Sequence, residues 1–368
     1  MAKTNNIKEV IVLILRLIVG SVFIFSAVVK GIDPLGTAYR VEDYLEAYAW
    51  YSLVNFSLWL AVTLILVEFL LGVALFLRLK LKLASLGVLL IMAFFTIVTY
   101  FDAKLNLVPD CGCFGDAVKL TNWETFYKNI VLIIMAILLF AWRKHAKQNM
   151  TSGTQMAVLL VFVALFSVFM YYNINHLPVL DFRNWKVGKD MKTLGEDKVK
   201  VYVIYKNKQT DEIKEFLSPD YPWGDSAWLS KWEFLGQRFD NSSLIKKHDL
   251  IIEDSLGNDF TKDLIENPGT QILIISPDLY TVDKQGLAKA MALIENIDGN
   301  AYFAVITGSS FDLAAMVFKK YSSMEVYFAD DILLKAMIRS NPGIVILKNG
   351  VVYKKLHYKD IPDKLEIN

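Results

Sequence analysis

Five apolar runs fill the first half of the chain, at roughly 9–29, 53–77, 83–101, 126–142 and 155–172. Each approaches the ~20 residues that cross a bilayer as a helix. The fourth is short, and Phe126 and Tyr127 must help it span. Lys3 and Lys8 give the first run a basic start, but the run is too long for a cleaved leader and no A-x-A-like site follows it. It is therefore expected to stay as a span. The pattern changes after the fifth run. Residues 199–205 alternate as a strand should, and 250–254, 271–275, 301–307 and 325–328 read as further strands. Helices are expected over 287–297, 311–321 and 332–338, and a hairpin over 344–347 and 351–356 turns at Asn349-Gly350. Strands alternating with helices, closed by a hairpin, predict an α/β domain with a mixed sheet. The fold class is thus an α-helical membrane bundle followed by an α/β domain.

Basic residues orient the spans. Lys3 and Lys8, then Arg78, Lys80 and Lys82, then Arg143, Lys144 and Lys147 all fall on one side if five helices cross. The positive-inside rule makes that side cytoplasmic. An odd number of spans then puts the loop 102–125 and the C-terminal region outside. The expected location is a bacterial inner membrane, with an extracytoplasmic, periplasmic domain. The loop 30–52 carries Tyr39, Tyr44, Tyr48, Trp50 and Tyr51 and reads as a short helix at the lipid interface, as an aromatic belt or as a binding surface.

Bulk composition agrees with two parts. Apolar residues make up 54% and charged residues 21%, at a mean hydropathy of +0.37. That combination fits a lipid-soluble half joined to a water-soluble half. A net charge of +1 leaves no basic excess for nucleic acid, so the lipid bilayer is the first partner.

Two ionisable residues lie well inside spans, Arg16 and Glu68. Counted from the cytoplasmic ends at 1.5 Å per residue, they lie roughly 10 Å and 13 Å deep and so could pair. A structural ion pair and a proton or quinone site both fit such residues.

The two cysteines, Cys111 and Cys113, share one loop, Val108-Pro109-Asp110-Cys111-Gly112-Cys113-Phe114-Gly115-Asp116. A disulfide between positions i and i+2 closes a small, strained ring, and strained disulfides are the labile or catalytic ones. Gly112 gives the backbone the freedom such a ring needs. Redox-active dithiol chemistry is the leading reading. A structural disulfide, inert thiols and a metal site stand beside it, although a metal would need more ligands than this loop offers.

These residues carry a resemblance. Arg16-Leu-Ile-Val-Gly20, Ser26 through Lys30-Gly-Ile-Asp33-Pro34, Glu68 with Gly72, and Asp110-Cys-Gly-Cys-Phe-Gly115 together resemble the DoxX/MauE group of redox-associated membrane proteins over about 140 residues. The resemblance implies a four-helix bundle over 1–150, linked to thiol or quinone redox chemistry. A fifth helix and tether fill 151–180. For the MauE branch it implies help in maturing methylamine dehydrogenase, a disulfide-rich enzyme. No residue here speaks to methylamine itself. Lys30, Asp33 and Asp102 would gather at the outer end, with Asp110, Gly112 and Asp116 flanking the thiols.

Residues 181–249 form a strand-containing extension in which Trp223, Trp228 and Trp232 read as packing residues or as a ligand platform. Beyond it, residues 252–261 and Asn341-Pro342-Gly343 through Gly350 resemble the TlpA/ResA branch of the thioredoxin fold over 250–368. That likeness implies a cis Pro342. Where the branch has Cys-x-x-Cys, this chain reads Ser276-Pro277-Asp278-Leu279, so the domain cannot exchange dithiols itself. Ser276, Pro277 and Pro342 would line a partner-binding loop, or the domain would be a plain cap.

The leading expectation is a membrane thiol-redox component, a thiol–disulfide or quinone oxidoreductase part. Cys111 and Cys113 would exchange electrons with an extracytoplasmic redox or client protein, and a quinone is the candidate cofactor. The rival is a non-catalytic envelope scaffold or assembly factor. A permease is a weaker third, since no inverted repeat is evident.

Overall fold

The computed structural model describes residues 2–108, 112–145, 150–192, 200–240, 248–295, 301–321 and 324–365. Two compact units emerge. The first holds Met1–Arg183 with Ile338–Gly343 and Leu356–Asp363; the second holds Asn184–Met337, Ile344–Lys355 and Lys364–Asn368.

The first unit is built on six helices: α1 (Ala2–Ile32), α2 (Pro34–Ala47), α3 (Ser57–Phe76), α4 (Leu81–Leu105), α5 (Asn122–Trp142) and α6 (Ser152–Asn175). Five stretches are long and apolar enough to cross a membrane: Ile7–Ile32, Tyr51–Phe76, Leu81–Leu105, Asn122–His145 and Ser152–Asn175. They coincide with the five apolar runs, each extended by a few residues. The fourth is longer than its apolar core because Thr121 and Glu124 form a capping box that starts α5 four residues before Phe126. Asp33 caps α2 by accepting from Gly36 N at 2.9 Å, with Pro34 at the first helical position.

Apolar residues spaced three or four apart make one stripe along α1: Val12, Leu15, Val19, Phe23 and Ala27 are all buried. That stripe lies against α3, while α4 pairs with α5 and α6 runs along α3. Two glycines set how α1 meets α3. A Cβ on Gly20 would sit 3.0 Å from Phe76 N, and one on Gly72 would sit 2.8 Å from Ile24 N. Only small residues permit two helix backbones to approach so closely. The α3 helix ends where Arg78 adopts φ +59°, and Leu79 N reaches back to Ala74 O at 2.7 Å. This is a Schellman-type closure that occupies the helix's own last carbonyls.

The second unit contains two sheets. Strands β1 (Lys200–Asn207), β2 (Ile213–Leu217) and β3 (Trp232–Asp240) form an antiparallel sheet in the order β2-β1-β3. Strands β4 (Thr270–Ser276), β5 (Ala301–Thr307), β6 (Glu325–Phe328), β7 (Gly343–Lys348) and β8 (Val351–His357) form a mixed sheet in the order β6-β5-β4-β7-β8. The β4–β5 and β5–β6 pairs are parallel. Ile272–Ile275, Ala304–Ile306 and Ile344–Leu347 supply its buried core. Helices α7 (Ser226–Lys231), α8 (Thr261–Ile265), α9 (Lys284–Glu295), α10 (Phe311–Phe318) and α11 (Asp331–Met337) complete the order.

Several expectations need correction. Residues 250–254 form no strand: Glu253 makes only isolated bridges to Asp259 and Phe328. Asp254 accepts from Leu256 N at 2.8 Å and Asn258 N at 2.9 Å, which turns the chain back before pairing can extend. Helix α10 stops at Phe318, short of the expected 321. Helix α9 starts at Lys284, and residues 296–297 of its expected extent lie outside the described residues. The strands β2 and β3 lacked a readable alternation because most of their residues are exposed. Within the 181–249 extension, Trp228 stacks on Trp232 at 5.4 Å beside Tyr205, so both are packing residues. Trp223 is exposed.

Candidate functional site

Glu68 lies buried on α3 in the helical unit, 2% exposed. Its partner is Lys30. Lys30 Nζ donates to Oε1 at 2.8 Å and to Oε2 at 2.9 Å. The expected Arg16–Glu68 pair does not form, and the Gly20–Gly72 contact explains why. α1 and α3 run antiparallel through it, so each step up α1 is answered by a step back along α3. Ser26 therefore comes level with Glu68, Lys30 one turn beyond reaches back with its long side chain, and Arg16 is level with the turn after α3. Fourteen residues of helix put Arg16 about 21 Å from Lys30 along the axis, out of reach of the carboxylate.

Ser26 extends the pair toward the cysteine loop. One turn before Lys30, its Oγ lies 3.1 Å from Glu68 Oε2 and 2.7 Å from the carbonyl oxygen of Cys113. The hydroxyl has one proton to give, so the Cys113 carbonyl and the buried carboxylate are alternative acceptors for the same serine. Around Cys113, Phe114 packs against Phe25 at 5.5 Å, and Lys128 Nζ sits 4.4 Å from the Phe114 ring centre. Gly112 has φ +59°, and a side chain there would meet Arg40 Cγ at 3.0 Å. Only glycine tolerates both conditions. Cys113 is half-buried and borders a cavity of about 10 Å³ with Gly112, Phe114 and Thr125, room for one water. Cys111 and Asp110 lie outside the described residues.

The other expected residues have partners of their own. Asp33 is held by Arg339, whose Nε donates to Oδ2 at 2.8 Å and Oδ1 at 3.1 Å. The same guanidinium reaches Asp116 Oδ2 with Nη2 at 3.6 Å, so it connects the cap of α2 with the far side of the cysteine loop. Burial works against the Arg339 charge, but Asp33, Tyr39 and Asp116 outweigh it and hold the group above its ordinary pKa. Asp102, at the end of α4, accepts from the Tyr44 hydroxyl at 2.5 Å. Its Oδ1 has no hydrogen-bond partner among the described residues.

Ser276 and Pro277 are buried at the end of β4 in the second unit, whereas Pro342 is buried in the 338–343 segment of the first. The Asn341–Pro342 peptide is cis, as is Ser218–Pro219.

Sequence reasoning missed Arg339, Ser26 as a bridge and the Lys30–Glu68 pairing. Arg339 is 306 positions from Asp33, and no local pattern marks it. A signal existed for the other two: Gly20 and Gly72 mark the close approach that fixes the register.

A family model described as methylamine utilisation protein MauE matches residues 8–142, the stretch that ends with α5. No curated protein and no solved structure matches the chain.

Proposed function

We propose that this chain is an integral membrane thiol-redox component. Cys111 and Cys113 are its working pair. As a dithiol they form one disulfide and release two electrons and two protons, and a disulfide in an extracytoplasmic partner protein takes them up to become two thiols. The reverse exchange balances in the same way. A membrane quinone, which becomes a quinol with two electrons and two protons, is the cofactor that fits such a pair. The observation that carries the reading is the bond from Ser26 to the Cys113 carbonyl, which seats the cysteine loop on the buried Lys30–Glu68 pair. An inert surface loop has no need of a charged pair beneath it, because buried charges are costly unless paired. The family match, whose description concerns methylamine utilisation, supports a membrane protein linked to that process or to redox chemistry.

The reading includes an orientation: the cysteine loop and the C-terminal region face the oxidising side of a bacterial inner membrane. The second unit is read as a thioredoxin-like domain without its own thiols, used to recruit the partner. Its support is the β4-to-Ser276 stretch followed by Pro277, with buried residues where a reactive pair would stand.

Replacing both cysteines by serine tests the proposal. Envelope proteins from cells carrying the variant would be trapped by alkylation and compared with wild type. Clients are expected to shift in thiol status, and unchanged status in every client refutes dithiol exchange. A scaffold reading is favoured by the lack of any cysteine after Cys113. It expects the serine variant to behave as wild type while deletion of 250–360 abolishes function.

A further inference from the structure

We infer that Arg16 is the inner wall of a phosphate-binding site at the basic end of the helical unit, suited to the headgroup of an anionic phospholipid. Arg16 is only 8% exposed, and its Nε and Nη1 are buried without a hydrogen-bond partner among the described residues. Buried polar atoms are nearly always satisfied, and an exception calls for an unseen water or ion. A guanidinium inside a span calls for a countercharge as well.

Among the described residues none pairs with it. The carboxylate that could have served, Glu68, is committed to Lys30. The carbonyls of Val73, Ala74 and Leu75 near the end of α3 are taken by the Leu77–Leu79 closure. The charged neighbour whose field reaches Arg16 is Arg78, another cation. From residue 1 to 16, from 69 to 101 and from 125 to 180 the sequence contains one acidic residue, Glu9. Glu9 stands seven residues back on the same helix, about 10 Å along the axis.

The surroundings favour an anion. Arg16 is level with the α3–α4 turn, which carries Arg78 and Lys80, and α1 also meets the short helical turn Arg143–His145. Val12, a turn below Arg16, and Leu15, next to it, share a core cluster with Leu79 and Leu81, so the turn lies against α1 at this height. A snorkelling arginine would carry its head out to water. Arg16 instead keeps two nitrogens inside. A planar guanidinium presents paired N–H groups that match phosphate oxygens, and basic pockets between membrane helices take lipid headgroups in this manner.

Native mass spectrometry of the full chain in detergent tests the inference, after addition of phosphatidylglycerol, phosphatidylcholine or inorganic phosphate alone. Wild type is expected to hold one phosphatidylglycerol under activation that strips phosphatidylcholine. Arg16→Met is expected to reduce the retained fraction at least tenfold, with Arg16→Lys between them. Displacement of the lipid by millimolar inorganic phosphate, with a raised thermal midpoint, would identify the free anion as the ligand; no effect of phosphate would identify the lipid headgroup. Equal retention of both lipids by wild type, with no stabilisation by phosphate, overturns the site whether or not Arg16→Met folds. Unchanged retention by a folded Arg16→Met variant also overturns it.

Discussion

Removing Lys30 isolates the buried pair beneath the cysteine loop. In Lys30→Met, Glu68 keeps its burial and loses the cation that donates to both its oxygens. Breaking one side of a buried pair costs about 3–5 kcal/mol. For a body of this size, each kcal/mol lowers the thermal midpoint by about 2–4 °C, so a drop of roughly 6–20 °C is expected. Lys30→Met with Glu68→Leu removes both charges and should return to within about 1 kcal/mol of wild type, or exceed it. Arg16→Met with Glu68→Leu should behave differently. Arg16 lies about 21 Å along α1 from the lysine that holds Glu68, so the two effects should add within ~0.5 kcal/mol. Thermal unfolding of wild type, the single variants Lys30→Met, Glu68→Leu and Arg16→Met, and the two double variants in one detergent, followed by tryptophan fluorescence, measures both couplings. Coupling between Arg16 and Glu68, together with simple addition for Lys30 and Glu68, would refute the helix register argued above.

Gly72→Leu should part α1 from α3, since its Cβ would meet backbone atoms of Ile24, which cannot yield; a loss of at least ~1–3 kcal/mol is expected in the same melts. Arg339→Ala leaves Asp33 without its buried guanidinium, at a cost of about 3 kcal/mol, and frees Asp116. Alkylation of Cys113 in the reduced protein should then run several-fold faster, and an unchanged rate would show that Arg339 does not restrain the loop. Thr121→Ala removes the capping box of α5 and should lower stability by about 1 kcal/mol, with a smaller loss for Thr121→Ser.

The sequence by itself determined the five membrane helices, because twenty-odd apolar residues in a row have few other fates and each run needs no distant partner to be recognised. It also determined the buried strands β4, β5 and β7 and the Asn349-Gly350 hairpin, whose turn residues adopt φ 49° and 72°. The outer strands β2 and β3 escaped notice, since a sheet with exposed faces imposes no alternation. Tertiary structure alone decided which charges meet. Depth counted along separate helices suggested Arg16 for Glu68, but the partner was chosen by the Gly20–Gly72 contact, which slid the helices until Ser26 and Lys30 faced the carboxylate. Asp33 found Arg339 across 306 positions for the same reason. Span length is a property of one segment, whereas pairing depends on the offset between two, and that offset is set where their backbones touch.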